Sequence, residues 1–128
     1  MKNYMDISVT RRLEVWHKDY NLEKRDNLRD LPAEKAVFGV FASVNEEPVN
    51  CRYAGETEDL RAAIKMLFEK PGTEGLKKFM QGAWIQTVQF ELMPGSSAVD
   101  RKKVLDEWIE KHQPKIDDDG DYPGYYNA

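Results

Sequence analysis

The sequence predicts an α+β sandwich: a small three-stranded, mainly antiparallel sheet flanked by helices. Three observations predict it. Residues 36–42 form a continuous apolar run with β-branched and aromatic side chains, the pattern of a buried strand. Leu60, Ala63, Ile64, Leu67 and Phe68 recur at helical spacing and make one apolar face. Strand and helix signals then follow one another as β-β-α-α-β-α over residues 36–117, an order that places helices over a small sheet.

Residues 1–35 form an N-terminal extension. Residues 11–16 read as a short strand or the start of a helix, and residues 27–32 as a helical turn stopped by Pro32. Trp16, Tyr20, Leu22, Leu28 and Leu31 are together too apolar for a free arm, so the extension is expected to pack on the body.

The body spans residues 36–117. After the first strand, Asn45-Glu46-Glu47-Pro48 reads as a turn and residues 49–54 as the return strand of a hairpin. Thr57 is the expected N-cap of the first helix, with Glu58 and Asp59 in its first turn, where the helix dipole favours carboxylates. Pro71-Gly72 stops that helix. Thr73 caps a shorter one with Leu76, Phe79 and Met80 inward. Trp84, Val88, Phe90 and Leu92 share one parity, with Thr87, Gln89 and Glu91 on the other, which predicts a half-buried strand. Ser97 and Asp100 form a capping box with Asp in place of the usual Glu. Val104, Leu105, Trp108, Ile109 and His112 are the expected inward face of the third helix, which Pro114 ends. Residues 118–128 form an acidic and aromatic tail. Asp117, Asp118, Asp119 and Asp121 resemble the start of a calcium loop but lack its downstream glutamate, and read as a solvated turn. The aromatic stretch after them is expected to dock on the body.

The totals narrow the class. The chain has 128 residues, enough for one domain with a core of its own. Its single cysteine, Cys51, forms no internal disulfide and favours a reducing compartment. The first residues carry no apolar run of a signal peptide, and no stretch approaches a membrane span, so a cytoplasmic location and no membrane contact are expected. Net charge is −4, of which residues 113–128 supply −3, leaving −1 for residues 1–112, which are nearly neutral. That balance is unlike the basic face of most nucleic-acid binders, although a local basic patch remains open.

Gly39-Val40-Phe41 in the first strand and Tyr53-Ala54-Gly55 closing the second, in this element order, resemble the two strand motifs of the GIY-YIG nuclease family. The resemblance covers residues 36–117 and extends to Leu67-Phe68 and to the run from Trp108-Ile109 to Pro114 and Asp117. It implies that fold, with metal-dependent phosphodiester hydrolysis in active members: one divalent cation such as Mg²⁺, a glutamate ligand on the third helix, an arginine on the first helix and strand tyrosines that orient or deprotonate water. Each part has a physical task, since cation and arginine neutralise an oxyanion and a phenol moves a proton.

Carried over by position, the family's first tyrosine falls on Phe41, its arginine on Ala63, its helix histidine on Leu67, its metal-binding glutamate on Leu105 and its terminal asparagine on Asp117; only the second tyrosine is kept, as Tyr53. Arg61 lies about 200° around the helix from position 63 and Asp106 about 100° from position 105, so neither substitutes. The resemblance therefore implies a module without the family's catalytic residues, no cofactor, and a role in protein interaction or self-association through an apolar face at the former active site. The alternatives are nucleic-acid binding without cleavage and a divergent metal-dependent endonuclease, the one case that calls for Mg²⁺.

Each candidate also has a plain structural reading. Tyr53 can present its phenol at a surface or pack as an ordinary strand residue. Ala63, Leu67 and Leu105 can form a patch or belong to the core, where two buried leucines contribute about 3–6 kcal/mol. Arg61, Arg101 and Lys102, near Lys103, Lys111, Lys77 and Lys78, are candidate phosphate contacts or a solvated helix face. His17 and His112 have no metal-ligand spacing, and a lone strand cysteine is most often simply buried.

Overall fold

Alternation along the apolar run after Lys35 organises the molecule, because its even and odd residues supply two different packed layers. The computed structural model describes residues 4–9, 28, 31–45, 47–82 and 86–123. The strands are β1 (Tyr4–Val9), β2 (Ala36–Val44), β3 (Glu47–Thr57) and β4 (Gln86–Leu92). The helices are α1 (Leu60–Glu69), α2 (Glu74–Gln81) and α3 (Ala98–His112). The α+β class and the β-β-α-α-β-α order of the body are as expected. The sheet runs β1-β4-β2-β3 with every neighbouring pair antiparallel, so the extension contributes a fourth strand beside β4.

Phe38, Val40 and Ala42 of β2 and Val88 and Phe90 of β4 point to one face. There they meet Leu60, Ile64, Leu67 and Phe68 of α1, Leu76, Phe79 and Met80 of α2, and Leu28 and Leu31 from the extension. The extension thus enters the core through Leu28 and Leu31. Residues 11–16, with His17, Tyr20, Leu22, Trp84, Ile85, Tyr125 and Tyr126, lie outside the described residues.

The opposite face carries α3. A β-carbon at Gly39 would lie 3.3 Å from the Trp108 ring and 3.4 Å from the Cys51 sulfur, so the glycine lets the helix approach the sheet closely. Phe41 meets His112 edge-on at 5.2 Å, and His112 lies 5.2 Å from the Trp108 ring. The β2–β3 register shifts on either side of Phe41, with Cys51 opposite it and Asn50 at φ 50°. These bulges re-aim the edge strand.

Three expectations are corrected. Thr57 is the last residue of β3, and Asp59 is the N-cap of α1, accepting from the Ala62 N–H at 3.0 Å; the Thr57 hydroxyl instead accepts from the Asp59 N–H. On β4, Thr87 and Glu91 on the polar parity are buried as well, so both faces of the strand carry buried side chains. On α3, Trp108 is buried and Val104, Leu105 and His112 are half-buried, but Ile109 is 42% exposed and Arg101 takes an inward place. Thr73 caps α2, and the Ser97–Asp100 box forms in both directions.

Candidate functional site

Tyr53 is half-buried on β3 and packs against the core, its ring 6.0 Å from that of Phe38. Phe41 is buried on the opposite face under α3. Leu67 belongs to the core beneath α1, with Ala63 half-buried against it. Leu105 is half-buried on α3, across the sheet. Positions 63 and 67, onto which the resemblance carries an arginine and a histidine, therefore lie on a different layer from position 105, onto which it carries a glutamate. Asp117 sits in the loop after α3, and its carboxylate accepts the N–H groups of Asp119 at 2.9 Å and Asp121 at 3.0 Å. That carboxylate folds its own turn.

The three candidate phosphate contacts do not form one surface. Arg101 is 1% exposed. Its Nε donates to Glu56 Oε1 at 2.8 Å, and its Nη1 donates to the Ser96 carbonyl at 2.9 Å and hydroxyl at 3.1 Å. Glu58 lies 3.8 Å from Nη2. A guanidinium so enclosed fastens the start of α3 to the end of β3 and is not presented to a phosphate. Arg61 donates from Nε to the Leu31 carbonyl at 2.8 Å, which ties the end of the extension to α1. Lys102 is exposed and lies 3.6 Å from Asp106 across one helical turn.

Titratable groups here are tuned by burial. Desolvation pushes the Cys51 thiol up to about 12, against its hydrogen bonds with the backbone at Tyr53 and Val40 and the nearby Arg52 charge. A thiol held protonated is a poor nucleophile. Burial, and then the Lys111 charge, lowers His112 below the usual histidine value. Among the described residues, no group of three His, Cys, Asp or Glu side chains is placed to hold a metal ion. A shallow depression of about 290 Å³ along α2 is lined by Glu74, Lys77, Lys78, Gln81 and Gly82. No buried charge converges there.

Two features were missed by sequence reasoning. One is Arg52, 4% exposed, whose guanidinium lies 5.1 Å from the Phe79 ring centroid and 5.9 Å from that of Tyr122. No local pattern marks it, because its partners come from α2 and the tail. The other is the outer side of α3. Val99, Lys102, Asp106 and Ile109 follow a three- and four-residue spacing, and Val99 is 66% exposed. Leu105 precedes Ile109 by one turn, and the two make a short apolar edge beside the Lys102–Asp106 pair. The spacing was legible; the direction it faces was not.

Compared with known proteins, the chain matches no family model, no curated protein and no solved structure. Among the described residues, no helix is long and apolar enough to cross a membrane.

Proposed function

We propose that this chain is a non-catalytic GIY-YIG-like module that acts in protein interaction, through the apolar flank of α3 where the family's metal ligand would stand. The observation that carries this reading is Leu105. It is half-buried and continues along the helix into the exposed Ile109, so the position holds an aliphatic edge open to solvent on one side. An exposed aliphatic side chain continuing from a half-buried one gives a partner helix or loop an apolar contact point.

The element order, Gly39 in β2 and Tyr53 with Gly55 in β3 support the resemblance. The packing supports the loss of chemistry. An arginine at position 63 or a histidine at 67 would bring polarity against the core formed by Ile64, Phe68 and Phe79, which is unfavourable without a partner. Arg101, enclosed by Glu56 and Ser96, weakens the nucleic-acid alternative by removing its central candidate.

One gel tests this reading. Supercoiled plasmid is titrated with the protein at low salt, with and without Mg²⁺ or Mn²⁺. The expected result is unchanged plasmid mobility. Metal-dependent nicking lost on Tyr53→Phe overturns the proposal in favour of a nuclease, and retardation without nicking overturns it in favour of a nucleic-acid module.

A further inference from the structure

The loop after α3 wraps round the free edge of the sheet, from the α3 face to the α1–α2 face. The Lys115 N–H donates to the Cys51 carbonyl on β3 at 3.0 Å. Ile116 then packs against the core on the far side. The Asp117 carbonyl rests on Gly75 of α2, so closely that a β-carbon there would collide with it. Gly120, at φ 88°, lies against the Phe79 backbone N and accepts from Arg52 Nε at 3.3 Å. Tyr122 closes over Arg52 and donates its hydroxyl to the Gln113 carbonyl at 3.0 Å. This is a shaped seat for one particular segment.

The hinge of that segment is strained. Gln113, the C-cap of α3, is left-handed at φ 47° and ψ 59°. Helix ends in this conformation usually carry glycine, because a β-carbon is disfavoured there. Pro114 follows, and a proline restricts the residue before it to extended backbone. Two independent steric preferences therefore oppose the closed hinge. Opening Gln113 to an extended conformation satisfies both, and carries the loop away from its own body.

We infer that residues 113–122 are an exchangeable strap, and that the partner fitted to the β3-edge seat is a second copy of this chain. In the exchanged dimer each loop occupies the other copy's seat. The contacts with Cys51, Gly75, Phe79 and Arg52 are kept, and only the hinge and the Tyr122–Gln113 bond change. Exchange of an identical element is an accessible route to a dimer when its hinge is strained. This inference goes beyond the interaction role proposed above and does not depend on it.

The test is light scattering after size exclusion, on protein refolded from denaturant at high concentration. The wild-type chain is expected to give a dimer that dissociates slowly on dilution. Gln113→Gly relaxes the closed hinge and is expected to lower the dimer association constant on the order of tenfold or more. Gly75→Ala blocks the seat while favouring the α2 helix, and is expected to abolish the dimer with helical circular dichroism retained. Absence of a wild-type dimer, or a dimer that Gln113→Gly leaves unchanged, overturns the inference. So does a dimer that persists in folded Gly75→Ala. If Gly75→Ala does not fold, Gln113→Gly decides alone.

Discussion

The guanidinium of Arg101 is buried, and its close carboxylate partner comes from outside its own helix. That partner is Glu56 of β3, 45 residues earlier in the chain. Removing one partner of a buried pair leaves the other charge partly desolvated. Arg101→Met is therefore expected to lower unfolding free energy by about 3 kcal/mol, read from urea denaturation. The double variant Arg101→Met with Glu56→Gln should recover part of that loss; no recovery would show that the two charges are not coupled.

Cys51 gives a second prediction. Its thiol is held up to about 12 in the folded chain, from an ordinary value of 9.0. The unfolded chain thus loses this proton first as pH rises. Stability from this group is complete below pH 9 and declines between pH 9 and 12, by about 1.4 kcal/mol per pH unit. Chemical denaturation at pH 8 and pH 10, compared with Cys51→Ala, isolates it from lysine titration. Equal pH slopes in both proteins would count against the burial argument. His112 acts at the other end of the scale. Its folded value is lowered, so its contribution is present above about pH 6.5 and is lost as pH falls below it.

Elements whose signals are local were readable. Ser97 and Asp100 sit three residues apart, and the cap they form needs nothing else. Ser97→Ala is expected to destabilise α3 by about 1 kcal/mol, visible as a lower urea midpoint with an unchanged slope. The α1 stripe was readable for the same reason, since its period and its buried face coincide. Thr57 was read as a cap because it precedes two acids. β3 in fact continues through it, held in register by Ala36, and the cap moves to Asp59. β1 was not legible as a strand. Residues 4–9 alternate only briefly, and what makes them a strand is pairing with β4. The candidate site was half legible. The residues at positions 63, 67 and 105 follow from the sequence, but their division between two layers depends on which face each helix covers.

At the scale of the molecule, both faces of the sheet are committed to packing, and this bears on introducing the charged residues that the proposed resemblance calls for. The combined change Ala63→Arg, Leu67→His and Leu105→Glu is expected to lower the melting temperature by roughly 10 °C or more and to produce no metal-dependent plasmid nicking. A soluble triple variant that melts with the wild type would show that these positions tolerate charge, and would remove the packing argument.

The pairing of β1 with β4 has a consequence for synthesis on the ribosome. β2 and β3 are joined by a tight turn and can pair as soon as both have emerged. β1 leaves first, yet its partners, from Gln86 to Glu91, come much later in the chain. At roughly 5–20 residues per second, the first strand waits several seconds or more for its neighbour. The nascent chain must carry an unpaired strand through that interval. The β2–β3 hairpin can thus form early, whereas the β1 side of the sheet closes only once β4 has emerged.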